Sequence, residues 1–235
     1  MKRLIQAIDD ALVERFGVPK RNPKTPDPLD ILVGTILSQN TNDRNSHRAY
    51  ERLKERYDSW EEVARLTPSK LEREIKTAGL GKQKSKAILG ALRRVIRERG
   101  AATLDYLRER SDEEILDHLV SFEGVAEKTA SCVLLFSLKR NVCPVDTHVH
   151  RTLNRIGATA TKSPTQTFAA LAGNIPDGAA HRFHTNLIRL GREICKPAKP
   201  LCGACPVKER CRHEPKNLDA PEATKTNDFF LLDAI

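Results

Sequence analysis

Four cysteines crowd into one short stretch of the chain, Cys195, Cys202, Cys205 and Cys211, at the spacing C-x6-C-x2-C-x5-C. Thiolates this close together can surround one metal centre without a long excursion of the backbone. The spacing by itself leaves structural zinc and an iron–sulfur cluster open. Disulfides are a third reading, disfavoured in a reducing compartment. A second set of candidates is Lys128 and Asp146. Lys128 follows the turn Phe122-Glu123-Gly124-Val125-Ala126 and falls in the first turn of the next helix. The positive end of a helix favours a neutral amine there. A neutral amine can attack an electrophilic sugar carbon and form a Schiff base. The bland alternative is a solvated lysine, the usual fate in a chain with 40 Lys plus Arg. Asp146, in Pro144-Val145-Asp146-Thr147-His148, is placed to cap a helix. A carboxylate in that position can also stabilise positive charge or accept a proton. His148 either orders this loop or meets a phosphate.

These groups need rigid elements to hold them, and nearly every segment reads as helix. Ile5, Ile8, Leu12 and Val13 make a helical stripe. Three prolines between Arg21 and Pro28 mark a linker, and Asp27-Pro28 reads as an N-cap followed by proline at the first helical position. The helix from Leu29 to about Leu37 is apolar on most faces, which marks it as central. Further helices are expected at 45–57, 59–66, 69–78, 82–99, 111–121, 127–139, 146–156, 165–173 and 179–193. No stretch alternates over the length of a strand, so the expected fold class is all-α. Two helix-turn-helix units share a glycine-containing turn, at Gly79 and at Gly124. A glycine there permits positive φ and close backbone approach, and the N–H groups of the following helix suit an anion such as phosphate. The tail from Lys216 to Ile235 lacks a helical stripe; Phe229, Phe230, Leu231 and Leu232 are apolar, and a frayed terminus is expected.

Composition bounds the partners. The chain has 235 residues, 39% hydrophobic and 30% charged, which is a globular composition. Its formal net charge of +9 favours polyanions without separating DNA from RNA or anionic lipid. No apolar run approaches membrane-spanning length, and Asp9, Asp10 and Glu14 interrupt any signal-like start. The expected setting is cytoplasmic, with no membrane association. Cys132 reads as a small core residue on an apolar helix, and Cys143 has no functional reading.

The turn carrying Lys128 and the run Val145-Asp146-Thr147-His148 resemble the endonuclease III family of helix-hairpin-helix DNA glycosylases and AP lyases. Ile36-Leu37-Ser38-Gln39-Asn40-Thr41-Asn42-Asp43 is similar to that family too. So are Ile75-Lys76-Thr77-Ala78-Gly79-Leu80 and Lys84-Ser85-Lys86-Ala87. The resemblance covers roughly residues 1–213. It implies two all-α domains with a cleft between them. Residues 29–137 form a six-helix barrel with the hairpin, and 1–28 with 138–213 form a four-helix cluster domain. Residues 214–235 are left as a flexible tail.

By that resemblance Lys128 is the Schiff-base lysine and Asp146 the essential aspartate. Gly124 and Ala126 belong to the phosphate-gripping hairpin. Asn40, or its neighbour Gln39, fills the gap left by a flipped base, and Leu80 wedges the opposite strand. The four cysteines hold a [4Fe–4S] cluster, with Lys196 and Lys199 on a basic loop against the DNA backbone. The implied activity is excision of damaged, oxidised pyrimidines from duplex DNA followed by β-elimination. The implied partner is DNA with a damaged base or abasic site, bound by a monomer working at the nucleoid. Two features depart from the family pattern. The hairpin has Phe122, Glu123 and Ala126 where Leu-Pro-Gly-Val-Gly is usual, and Asn40 stands where glutamine is usual. Rival readings are a mismatch-specific thymine, uracil or adenine glycosylase, a non-catalytic damaged-DNA-binding module, and a zinc-bound nucleic-acid protein.

Overall fold

The structure is a computed structural model and describes residues 1–219 and 230–235. The expectation of an apolar tail at Phe229 therefore lies outside the described residues. Among the described residues there is no strand. In chain order the helices are α1 (Lys2–Phe16), α2 (Pro28–Ser38), α3 (Asp43–Arg56), α4 (Trp60–Ala64), α5 (Pro68–Glu74) and α6 (Gly81–Arg99). They continue as α7 (Asp112–Val120), α8 (Glu127–Phe136), α9 (Thr147–Ile156), α10 (Pro164–Leu171), α11 (Ala180–Arg189) and α12 (Leu231–Ala234).

The chain divides into two compact units. One holds Arg21–Lys139 and residues 230–235. Its core is α2, whose Leu29, Ile31, Leu32, Val33, Ile36 and Leu37 are wholly buried. A helix apolar all round must be enclosed, and α3, α6 and α8 pack against it. Asp27 starts α2 by accepting the Leu29 N–H at 2.7 Å, and Pro28 takes the position where a missing N–H costs nothing. Helices α4 and α5 lean on α6, and α7 packs on α8. Cys132 lies wholly buried on α8.

The other unit holds Met1–Lys20 and the chain from Arg140 through residue 219. Helix α1 packs on α11, burying Ile5, Ile8 and Leu12 on one side and Phe183 and Leu187 on the other. Fully buried Asp9 accepts from Arg182 at 2.8 Å across the same contact. Desolvation raises the Asp9 carboxyl's pKa, and the Arg182 guanidinium opposes that rise.

Three helix ends differ from expectation. The segment expected as helix to Ala78 leaves α-geometry after Glu74 and tightens into a 3-10 turn, Lys76–Ala78. Such tightening satisfies the last carbonyls, here through Ala78 N–H to the Ile75 carbonyl at 2.9 Å. Helix α8 stops at Phe136, because Lys139 is left-handed at φ 55° and the Leu138 N–H turns back to the Val133 carbonyl. The segment expected as helix to Glu193 ends as α-helix at Arg189 and widens into a π-turn, Leu190–Ile194. There Gly191 lies against His148 so closely that a Cβ would sit 2.7 Å from the His148 Cβ.

The frayed terminus is corrected for residues 230–235. They form α12, which packs on α2 and α3 with Leu231 buried. Gly34 of α2 makes the notch that receives the Ile235 side chain, and Asn22 Nδ2 donates to the Ile235 backbone oxygen at 2.6 Å. Leu231→Ala should lower stability by about 2–4 kcal/mol. Thermal unfolding will read this as a Tm drop of about 2–4 °C per kcal/mol; an unchanged Tm would contradict the docked helix.

Candidate active site and DNA-facing loops

The turn between α7 and α8 is built on Gly124. Its φ is 79°, and a Cβ there would sit 2.7 Å from the Ala87 Cβ of α6, so glycine is required by conformation and by space. Ala126 is the N-cap of α8 and contributes no side-chain hydrogen bond. That contrasts with α2, α3, α4, α5 and α7, each capped by a side chain from Asp27, Asn42, Ser59, Thr67 and Ser111. A helix start left uncapped by its own side chain suits an incoming anion. The unusual Glu123 does not stand alone beside it. Lys86 donates to Glu123 Oε1 at 2.6 Å, and both side chains are largely exposed. Lys128 lies in the first turn of α8, half-buried. Its ammonium makes no hydrogen bond or ion pair among the described residues.

Two further loops stand in this unit. Gln39 turns its amide inward, donating to the Gly124 carbonyl at 3.1 Å and to Thr129 Oγ1 at 3.3 Å. It braces the hairpin turn against the end of α2. Asn40 is the exposed residue of the pair, held left-handed at φ 51°. Leu80 is also left-handed, at φ 50°, and 47% exposed. Left-handed backbone is uncommon for a non-glycine residue and costs energy, more so for leucine than for asparagine. Leu80 is also the N-cap of α6, again with no side-chain cap. Between the loops sits Lys84, which belongs to a family-like run but has no role readable from the sequence. It is 2% exposed and donates to the Leu37 carbonyl at 2.7 Å and the Ala78 carbonyl at 2.8 Å. Burial brings its pKa down to about 8. The signal for it was weak, since a lysine on the apolar face of a helix reads as a side chain that snorkels out.

Asp146 belongs to the other unit. Its Oδ1 accepts from the His148 and Val149 N–H groups, both at 2.8 Å, and so starts α9. His148 is held by its own surroundings, against Gly191 and 3.2 Å from Arg151 Nη2. Burial lowers its pKa, partly opposed by the Asp146 carboxylate. One and two turns along α9, Arg151 and Arg155 grip the start of the cysteine loop. Arg151 donates to the Cys195 carbonyl at 2.9 Å and the Gly191 carbonyl at 2.8 Å. Arg155 donates to Cys195 Sγ at 3.6 Å and to the Lys196 carbonyl at 2.7 Å. These two arginines were also missed; their i, i+4 spacing on α9 was visible, but their targets lie some forty residues away.

Cys195, Cys202, Cys205 and Cys211 line one open cavity together with Ile156, Leu190 and Ile194. Burial pushes the Cys205 thiol up to about 12, and the three other cysteines beside it add to the rise. The Cys211 thiol is raised by burial in the same way. Among the described residues no three His, Cys, Asp or Glu side chains converge as ligands of one metal ion. Lys196 and Lys199 are exposed on the loop, and Lys208 lines the cavity. Cys143 is buried with its thiol near the Pro144 carbonyl.

An all-helical fold with a glycine hairpin, a first-turn lysine and a terminal four-cysteine loop defines a class of helix-hairpin-helix proteins. Residues 33–177 match the HhH-GPD superfamily of base excision DNA repair proteins. Endonuclease III of Thermotoga maritima is 35% identical over 208 residues, 88% of this chain and 92% of that one. Endonuclease III of Rickettsia felis is 31% identical over 88% of this chain and 94% of that one. A solved trapped endonuclease III–DNA covalent intermediate, an estranged-adenine complex, superposes with a TM-score of 0.76 at 25% identity. That match covers 90% of this chain and 96% of the other. A thermostable thymine-DNA glycosylase shares the fold, with a TM-score of 0.73 at 19% identity over 90% of this chain and 96% of that one. The chain belongs to the endonuclease III family of the HhH-GPD superfamily, DNA glycosylases with AP lyase activity.

The capping duty of Asp146 can be separated from any other. Asp146→Ala removes the acceptor of two N–H groups and should cost about 1–2 kcal/mol, whereas Asp146→Asn should keep most of the cap. Denaturant titration of the two variants measures the difference; equal losses would contradict the capping geometry.

Proposed function

We propose that this chain excises oxidised pyrimidines from duplex DNA through Lys128 and then nicks the strand. The observation that carries the reading is a half-buried lysine in the first turn of α8, beside an uncapped hairpin and in no ion pair among the described residues. A stacked base hides its glycosidic bond, so the nucleotide must leave the helix first. The Nζ lone pair of Lys128 attacks C1′, and the base departs with the electrons of the glycosidic bond. The amine loses its proton to the Asp146 carboxylate, or to water that it orients. The C1′–O4′ bond then opens onto oxygen and leaves an iminium at C1′. Loss of a C2′ proton and departure of the 3′ phosphate with the C3′–O electrons complete β-elimination. The first-turn N–H groups of α8 and the Gly124 turn hold a phosphate, and Asn40 and Leu80 enter the duplex. Lys196 and Lys199 add non-specific attraction to the DNA backbone. The protein acts as a monomer in the cytoplasm, at the nucleoid.

The four cysteines hold a [4Fe–4S] cluster. Their donor set fits it: thiols crowded in one cavity are costly to ionise unless cations bind them. When bound, the cluster supplies folding energy to the loop rather than reaction chemistry. Arg151 and Arg155 orient the first of its cysteines.

Borohydride with abasic-site duplex should trap a covalent adduct, and Lys128→Ala should abolish it. An undiminished adduct in that variant would refute the role of Lys128. A panel of lesion duplexes tests the substrate: preferential removal of mismatched thymine would replace oxidised pyrimidines as the assignment. The purified protein should show visible absorbance with four irons and four sulfides per chain. Cys205→Ser should lose it, and stoichiometric zinc would overturn the cluster.

A further inference from the structure

Lys84 is a buried ammonium with no carboxylate in reach among the described residues, satisfied by two backbone carbonyls. Such a group is expensive, and an apolar side chain of similar size would be free of that cost. What it holds explains its presence. The Leu37 carbonyl is one of the last of α2, where no N–H inside the helix can reach. The Ala78 carbonyl ends the 3-10 turn before Gly79. Shortly beyond each carbonyl the chain carries a left-handed non-glycine residue, Asn40 after the first and Leu80 after the second. Both are exposed. An exposed leucine on strained backbone is an apolar wedge held out against its own preference. The two strained residues leave from carbonyls that meet at one nitrogen. Lys84 also sits one turn into α6, the helix that Leu80 begins.

We infer that Lys84 is a positioning residue that locks the Asn40 loop and the Leu80 loop to a common point, so that both enter the duplex as one tool. This rests on the reading that those two residues enter DNA. Neutral replacement of Lys84 would free the end of α2 from the turn before Leu80. The loops would then lose their shared register while the hairpin and Lys128 stay in place. Chemistry on an already unstacked sugar needs neither loop, whereas extracting one from a duplex needs both.

The test uses abasic-site DNA in duplex and in single-stranded form, with 2-aminopurine opposite the abasic site in the duplex. Nicking of the duplex divided by nicking of the single strand cancels the folded fraction. Lys84→Met should lower this ratio about tenfold or more, the scale of losses when an orienting element slackens. The fall should lie in kcat rather than KM, and the 2-aminopurine fluorescence rise should vanish. Leu80→Ala should lower the same ratio. The double variant should be no worse than the worse single one, because both act through one element. A ratio unchanged in Lys84→Met but lowered in Leu80→Ala overturns the role of Lys84, and so does a multiplicative double variant. Ratios unchanged in both Leu80→Ala and Asn40→Ala overturn the loop reading instead. If Lys84→Met fails to fold, Lys84→Gln, whose shorter side chain falls short of holding both carbonyls, should lower the same ratio, and an unchanged ratio overturns the role of Lys84.

Discussion

Every α-helix begins with N–H groups that find no partner inside the helix, and an all-helical protein must dispose of them at each start. This chain answers with a side-chain oxygen at Asp27, Asn42, Ser59, Thr67, Ser111, Asp146 and Ser163. It withholds that answer at Met1, Leu80, Ala126, Ala179 and Phe230, the starts of α1, α6, α8, α11 and α12. Of these, α6 and α8 follow the two glycine turns, and they carry Lys84, Lys86 and Lys128. Asp146 belongs with the capped starts, since one of its oxygens caps α9.

Much of this was legible from the chain. Caps, prolines at N1 and glycines in turns act over a few residues, so Asp27-Pro28 and the Gly124 hairpin could be placed from sequence. The buried character of α2 followed from its lack of a polar face. Lys128, Asp146 and the cysteine quartet stand out as candidates through local pattern together with family likeness. What stayed hidden depends on distant partners. Lys84 needs two carbonyls from different elements before its burial makes sense. Arg151 and Arg155 reach the cysteine loop from α9, and α12 needs the notch at Gly34. The choice between Gln39 and Asn40 was also out of reach. The bond from Gln39 to the Gly124 carbonyl turns that side chain inward and leaves Asn40 the more exposed of the two.

The two departures of the hairpin from its family also find local accounts. Ala126 keeps its backbone N–H and leaves the start of α8 without a side-chain cap. Glu123 brings a negative charge, and Lys86 meets it at 2.6 Å. An exposed pair of this kind adds little to stability, about 0–1 kcal/mol. Its effect is on the field at the turn, where Lys86 offsets the charge that Glu123 brings.

Gly191 has a consequence that reaches beyond packing. It presses on His148, and its carbonyl takes a hydrogen bond from Arg151, which also holds the Cys195 carbonyl. The start of the cysteine loop and the residues following Asp146 therefore share one wall. A substitution that thickens that wall moves both sides at once. In evolutionary terms the two regions are not free to drift separately: a lineage that changes residue 191 must change its partner on α9 in step, or lose the register of both.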